Sequence, residues 1–272
     1  VTAYTEPSIG VSDPSLSDKN WWNELKHTPS FKPEYWSRYY DYLLKKPSWS
    51  ITAVENINSS TDEIMNSLTN PRKGMAGERM GMVFGYVQSG KTAHYIGMIN
   101  KAYDAGYRIV IVLSGIHNSL RSQTQSRIDE EVLGYETSLE SIGDMTRERN
   151  AIGVGIGPYN QVETPVQSIT TRDEKGDVNK KTEGVSMMPP LMVVTKKNAS
   201  VLRKILRFFR KNYCAEIIGG KKNEKVFCSA AGAGHGAELD GVQQKRDKEA
   251  GGHMAVRHGS HPGDQRGDGR EL

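Results

Sequence analysis

The sequence predicts an α/β fold built on a parallel sheet, and three observations support this prediction. Between residues 76 and 213, apolar runs alternate with helical patterns, which is the order of elements typical of this class. Residues 108–113 are nearly continuous in β-branched side chains, as in a parallel strand that is buried on both faces. Residues 85–92 match G-x-x-x-x-G-K-[ST] between an apolar run and a helical pattern, the context of a phosphate-binding loop.

Residues 1–75 are predicted to form an aromatic-rich helical region in front of this sheet, and they contain all four tryptophans of the chain. Aromatic and leucine residues recur at helical spacing over 33–46. A second helix is predicted over 60–68, with Ser60 or Thr61 as its N-cap. The aromatic side chains could form a platform on which bases stack, but a small core that packs on the neighbouring domain is the favoured interpretation.

The α/β region, residues 76–213, alternates predicted strands and helices. Three segments are apolar enough for strands, namely 82–86, 108–113 and 191–195. Three segments have helical patterns, namely 92–105, 117–131 and 198–213. Residues 152–156 are a further candidate for a short strand, and residues 173–177 are predicted to form an exposed turn or loop.

The last region, residues 214–272, is predicted to be disordered, because glycine, charged residues and histidine dominate it. The abrupt change of composition at residue 214 also suggests an aberrant reading frame, with a genuine flexible tail as the alternative. The chain carries a formal net charge of +4, which permits nucleic-acid binding without requiring it. Two cysteines and the lack of a signal peptide or a long apolar segment favour a cytoplasmic protein with no membrane association.

The phosphate-binding motif assigns a ligand as well as a loop. Backbone N–H groups of such a loop point at phosphate oxygens, and the helix N-terminus adds partial positive charge. In this interpretation Lys91 reaches the β- and γ-phosphates of ATP, and the Thr92 hydroxyl is a ligand of Mg²⁺. The residues assigned to the nucleotide site are Gly85, Gln88, Ser89, Gly90, Lys91 and Thr92. The alternative is a glycine-rich turn that binds no ligand.

Several segments around this motif resemble one protein family. The segments that carry the resemblance are 87–92, 104–108 and 113–127, together with 35–39 upstream and 196–198 downstream. They resemble the bacterial Z1 domain family, whose members are described as endonucleases with a helicase-like P-loop ATPase region. The resemblance covers roughly residues 20–213. It implies an incomplete core similar to superfamily 2 helicases, and DNA and proteins of DNA-modification or defence gene clusters as partners.

The resemblance also implies a role for the segment that follows the second predicted strand. It would contact the nucleic-acid backbone or support the ATP site, and the residues assigned to the nucleic acid are Asn118, Arg121, Gln125 and Arg127. For Arg121 and Arg127, a solvated helix face is an equally good interpretation.

One part of an ATPase is missing from the sequence pattern. Hydrolysis requires a carboxylate at the end of an apolar strand to hold Mg²⁺ and activate water. Residues 129–131 are acidic, but they follow no strand, and no later apolar strand ends in acidic residues. The sequence therefore predicts ATP binding, with the catalytic residues unassigned. The alternatives are a nucleotide-gated DNA-binding or partner-docking module without hydrolysis, and a small-molecule kinase whose acceptor site is not identifiable.

A basic helix is predicted further along the chain. Lys196, Lys197 and the lysines and arginines of residues 203–211 make the helix predicted over 198–213 strongly basic on one side. This side could steer phosphate backbones. A plain solvated helix face is at least as good an interpretation of the same residues.

Overall fold

The computed structural model describes residues 20–73, 79, 81–83, 90–140, 150–156, 162–178 and 189–217, and the side chains as far as residue 212. The helices in this part of the chain are α1 (Trp21–Lys26), α2 (Glu34–Lys45), α3 (Ile51–Ser67), α4 (Lys91–Ala105), α5 (Asn118–Ile128) and α6 (Ala199–Ile217). A single π-helical turn, Asp129–Leu133, continues α5. Short 3₁₀ turns occupy Pro71–Lys73 and Gly153–Gly155.

Three parallel strands form one sheet in the order β1–β3–β2, where β1 is Ile109–Ser114, β2 is Gln167–Ser168 and β3 is Leu191–Lys196. The register places Leu191 beside both Ile109 and Gln167. β3 is therefore the central strand, and all but its last residue are buried. These elements confirm a mixed α/β protein with a small parallel sheet.

The helical region and the sheet share one hydrophobic core. Helices α2, α3 and α4 contribute Trp36, Val54 and Ile96 to the same cluster of buried side chains that contains Met192 and Val194 of β3. A second cluster lies on the opposite face of the sheet, where Val201, Ile205 and Phe208 of α6 pack on alternate residues of β3. The aromatic residues of the N-terminal region are therefore mainly core residues.

Four of the predicted elements agree closely with the structure. The predicted helices 33–46 and 92–105 correspond to α2 and α4, and the predicted strands 108–113 and 191–195 correspond to β1 and β3. The predicted helices 117–131 and 198–213 are α5 with its π-helical turn and α6. The prediction that β1 is buried on both faces is wrong. Ile111 and Leu113 are 45% and 47% exposed, because β1 lies at one edge of the sheet as far as the structure describes it and α6 covers only part of that face.

Helix α3 begins nine residues earlier than predicted. Its N-cap is Ser50, whose hydroxyl accepts a hydrogen bond from the Ala53 backbone N–H at 3.2 Å. Ser60 and Thr61, predicted as caps, lie in the middle of the helix, where their hydroxyls donate to carbonyl oxygens of the preceding turn. The apolar face of α3 is interrupted by small polar residues, and this explains why periodicity located only its second half.

Two predicted strands are not found where the structure describes them. Residues 81–83 form no strand, and Met82 is 75% exposed; the rest of the predicted strand 82–86 lies outside the described residues. In the candidate strand 152–156, Gly153–Gly155 form a 3₁₀ turn, because Gly153 has a left-handed φ of 50° that breaks the extended conformation. Residues 173–177 form a turn as predicted, although Gly176 within it is buried.

The predicted disordered tail begins inside an element of the structure. Residues 214–217 continue α6, and residues 218–272 lie outside the described residues. None of the helices in the described part of the chain is long and apolar enough to cross a bilayer.

Candidate nucleotide and nucleic-acid sites

The N-terminus of α4 carries the part of the phosphate-binding motif that the structure describes. Gly90 is the N-cap, and its φ of 79° lies in the left-handed region that favours glycine. Lys91 is the first residue of the helix and is exposed, whereas Thr92 is half-buried. Gly85, Gln88 and Ser89, predicted to complete the loop, lie outside the described residues.

Helices α2 and α3 hold the first two turns of α4 in place. The Tyr39 hydroxyl of α2 donates a hydrogen bond to the Ala93 carbonyl oxygen at 3.3 Å. His94 Nε2 lies 2.8 Å from the Ser60 hydroxyl of α3. At Gly97, a Cβ atom would lie 3.0 Å from the Trp36 ring, so a larger residue would crowd this close packing. The helix that begins with Lys91 is therefore fixed by the aromatic helical region.

A buried ion pair anchors the following turn of α4. The Lys101 side chain is 1% exposed, and its ammonium group donates to Asp62 Oδ1 at 2.7 Å and to two oxygens of Asn58 at 2.7 and 2.8 Å. The same ammonium lies 4.3 Å from the centre of the Trp36 ring. Burial lowers the pKa of Lys101 to about 8, although the Asp62 carboxylate opposes this shift. Asp62 also accepts hydrogen bonds from Trp22 and Lys26, so one carboxylate joins α1, α3 and α4.

The C-terminal end of α4 caps α2. The Asp104 carboxylate accepts the backbone N–H groups of Tyr35 and Trp36, both at 2.8 Å, at the first turn of α2. The N-cap residue of α2 is Pro33, whose side chain cannot accept a capping hydrogen bond. Asp104 of α4 accepts these hydrogen bonds in its place. Burial raises the pKa of Asp104 to about 7, against the effect of the two N–H donors.

Trp49 is an aromatic residue beside the phosphate-binding motif that the sequence did not single out. A Cβ atom built on Gly90 would lie 3.4 Å from Cη2 of the Trp49 ring. The ring is partly buried and packs on the core that α2 and α4 share. Nothing in its sequence environment could have indicated this contact, because Trp49 lies in the connection between α2 and α3.

Two of the four residues predicted to bind nucleic acid are buried. Arg121 is 0% exposed; it donates to the Thr171 carbonyl oxygen at 2.7 Å and to the Asp173 carbonyl oxygen. Gln125 is also 0% exposed, and its amide bonds to Asp129 and Thr170. In this structure both side chains fasten α5 to residues 168–173 rather than facing a ligand.

The other two predicted residues lie on accessible parts of α5. Arg127 is exposed, near the end of the helix. Asn118, half-buried at the helix start, accepts a hydrogen bond from the Lys196 ammonium at 2.6 Å. Because Lys196 ends β3 and Asn118 follows β1, this contact lies at the carboxyl edge of the sheet, where α/β proteins bind their ligands.

Asp129, an acidic residue near the sheet, forms hydrogen bonds within the protein. Asp129 is fully buried and accepts hydrogen bonds from Gln125 and from the backbone and hydroxyl of Thr137. Burial raises the pKa of Asp129 despite these donors. The strands described end in Ser114, Ser168 and Lys196, so none of them carries a carboxylate at its carboxyl end. Within the described part of the chain, no group of three or more metal-ligating side chains is assembled.

Comparisons of the chain with protein-family models, with curated proteins and with solved structures found no match in any of the three. The α/β class therefore comes from the elements and register described above. The likeness to the Z1 domain family stays a prediction from the motif segments.

Proposed function

We propose that this chain binds ATP with Mg²⁺ at the N-terminus of α4, as the ATP-binding region of a helicase-like protein that processes DNA. The observation that carries the proposal is the G-x-x-x-x-G-K-[ST] motif, whose last two residues begin a 15-residue helix. The left-handed Gly90 lets the chain turn sharply into this helix. In the proposed site Lys91 contacts the terminal phosphates and Thr92 supplies a Mg²⁺ ligand.

The proposed P-loop arrangement is compatible with the sheet. Helix α4 leads into β1, and β1 and β3 run parallel, so the carboxyl ends of these strands form one edge. In α/β proteins this edge is where phosphate-binding loops and their helix N-termini lie. The superfamily 2 likeness, the DNA-related function and the link to endonucleases and bacterial defence systems depend on the family resemblance.

We assign the nucleic-acid role of α5 to Asn118 and Arg127. Arg127 is exposed to solvent, and Asn118 is only half-buried. Arg121 and Gln125 would have to release buried hydrogen bonds before they could contact a phosphate. We therefore assign these two residues to the support of α5.

A second candidate function is nucleotide binding without hydrolysis, coupled to DNA binding or to partner docking. None of the three described strands itself ends in an acidic residue, and this favours the second candidate. ATPase assays with and without duplex DNA separate the two candidates. Turnover stimulated by DNA supports the helicase-like function, and binding without turnover supports the second candidate.

The decisive experiment is the affinity of a fluorescent ATP analogue, measured by anisotropy in the presence of Mg²⁺. Lys91→Ala should reduce this affinity by at least about tenfold, since a charge-assisted contact to phosphate is lost. Lys175→Ala removes an exposed lysine from a loop and is the matched control. Both variants should keep the thermal unfolding temperature of the parent. Equal affinity in Lys91→Ala and the parent protein would contradict the assignment.

A further inference from the structure

A basic surface on α6 is separate from the phosphate-binding motif and from α5. Between Ala199 and Asn212 this helix contains no acidic residue. Its basic residues, all exposed, are Arg203, Lys204, Arg207, Arg210 and Lys211. At 3.6 residues per turn, these five positions lie within an arc of about 120°. We call this surface the α6 basic face.

The opposite side of α6 packs on the sheet. Val201, Ile205 and Phe208 are buried against the sheet, and this fixes the rotation of the helix about its axis. The α6 basic face therefore points away from the protein on a rigid element. Because α6 is packed on the sheet, its basic side chains start from fixed positions along one line.

Four of the five charges of this face have no ion-pair partner in the part of the chain that the structure describes. Among the residues that the structure describes, none forms an ion pair with Arg203, Lys204, Arg207 or Arg210. The whole chain has a formal net charge of only +4, so five cations on one side of one helix are a strong local excess. Such an excess creates a local field that attracts polyanions.

We propose that the α6 basic face binds the phosphate backbone of double-stranded DNA. The face extends about 12 Å along the helix axis, at 1.5 Å per residue. Along one DNA strand this length spans roughly three phosphates, at 3.4 Å per nucleotide. Three of the five cations are arginines, whose guanidinium groups contact phosphates in a bidentate way. Nothing on the face reads base edges, so binding is independent of sequence.

An anionic membrane is the other polyanionic surface that a basic helix can bind. Membrane helices that lie in the interface insert a broad apolar face into the lipid. Here that face is buried against the sheet, and of the apolar side chains described in α6 only Leu202 and Leu206 at its border are exposed, at 37% and 44%. The surface of α6 is therefore better suited to a hydrated phosphate backbone than to lipid.

The inference deepens the DNA-related part of the proposed function and does not depend on ATP. It is tested with the full chain, a labelled 30-base-pair duplex of arbitrary sequence and no nucleotide. The triple variant Arg203→Gln, Arg207→Gln, Arg210→Gln should bind at least about tenfold more weakly at 100 mM salt. The slope of log K against log salt should fall by about 2.7, or 0.9 for each lost phosphate contact.

Matched controls separate local charge from total charge. The variant Lys32→Gln, Lys45→Gln, Lys175→Gln removes three exposed lysines from elsewhere in the chain and should bind DNA like the parent. Replacing the same three arginines of α6 by lysine keeps the charges and should leave the salt slope close to that of the parent. Circular dichroism checks that α6 remains folded in each variant.

Three outcomes would overturn the inference. They are no DNA binding by the parent protein at 50 mM salt, equal losses in the α6 and control triple variants, and binding to vesicles containing phosphatidylserine but not to DNA. The affinity of the ATP analogue is measured in the same variants. Its retention in the α6 triple variant shows that loss of DNA binding is not loss of the nucleotide site, so the two proposals fail separately.

Discussion

Removing the carboxylate of Asp62 is the most direct test of how the helical region holds α4. In the folded protein the Lys101 ammonium is buried, and Asp62 is its only anionic partner among the ion pairs described. Asp62→Ala leaves this cation with the two oxygens of Asn58 and the face of the Trp36 ring. An ammonium group in such surroundings has lost its compensating charge without regaining water.

The size of the effect follows from the burial of each partner. Breaking a buried ion pair from one side costs roughly 3–5 kcal/mol. The contact of Asp62 with Lys26, which is 30% exposed, adds at most about 1 kcal/mol. These contributions overlap, because one carboxylate serves both lysines. We expect Asp62→Ala to lower the free energy of unfolding by about 4 kcal/mol.

Urea denaturation followed by circular dichroism measures this free energy, and a double-mutant cycle isolates the pair. Lys101→Met removes the buried charge while keeping a long apolar side chain. The double variant should lose about 1–3 kcal/mol less than the sum of the single variants. Additive losses, or a loss below about 1 kcal/mol for Asp62→Ala, would refute this reasoning. If Asp62→Ala does not fold, Asp62→Asn provides the milder member of the cycle.

The same pair gives a dependence of stability on pH. Between a folded pKa of about 8 and an unfolded value of 10.5 for Lys101, the folded protein binds fewer protons than the unfolded chain. The free energy of unfolding of the parent, compared with Lys101→Met, should therefore rise as the pH increases through this window. Urea titrations of both proteins at pH 7.5 and at higher pH measure the difference. A difference that falls would show that pairing with Asp62 raises the pKa of Lys101 above its unfolded value and outweighs the effect of burial.

Three further substitutions test other parts of the fold by urea denaturation. Ser50→Ala removes the cap of α3 and should cost about 1 kcal/mol, whereas Ser48→Ala at a neighbouring exposed position should cost less. The pKa of Asp104 in the folded protein, about 7, exceeds its ordinary value of 3.8, so this carboxyl makes the free energy of unfolding fall from pH 4 to pH 7. Asp104→Asn should abolish this contribution, so the stability of the parent relative to the variant should fall over the same range. Arg121→Met should cost about 2–3 kcal/mol, because two hydrogen bonds from a buried guanidinium group are lost.

Each of these substitutions has a result that would count against its explanation. An unchanged midpoint for Ser50→Ala would place the start of α3 elsewhere. Parallel pH profiles for Asp104→Asn and the parent would mean that folding does not raise the pKa of Asp104. For Arg121→Met, full stability combined with a loss of DNA affinity would mean that this side chain faces the nucleic acid after all.

The sequence predicted those elements whose side-chain period the core enforces. Helices α2 and α6 each bury one stripe of residues, and strand β3 is buried on both faces, so their patterns are strong. Strand β2 has only two residues, Gln167 and Ser168, and its place in the sheet comes from backbone pairing with β3. A pattern of side chains contains no information about such a strand.

The candidate sites were predicted less completely, for a different physical reason. The motif at Gly90 and Lys91 is local, so a short segment is sufficient to recognise it. The burial of Arg121 is not local, because its hydrogen-bond partners lie 50 or more residues later in the chain. In the sequence, polar residues at a helix start are equally compatible with a ligand site and with internal hydrogen bonds. The position of residues 171–173 in the fold shows that Arg121 makes internal hydrogen bonds.

The anchoring of α4 has a consequence for the binding of a nucleotide. A loop that orders itself around a ligand spends part of the binding free energy on that ordering. Here the helix that would receive the phosphates is held at Ala93, His94, Gly97, Lys101 and Asp104 before any ligand arrives. Loosening this helix at Lys101, about 15 Å from Lys91 at 1.5 Å per residue, should therefore weaken nucleotide binding without touching the site. A Lys101→Met protein that stays folded and binds the ATP analogue as tightly as the parent would show that the helical region stabilises the fold but does not preorganise the loop.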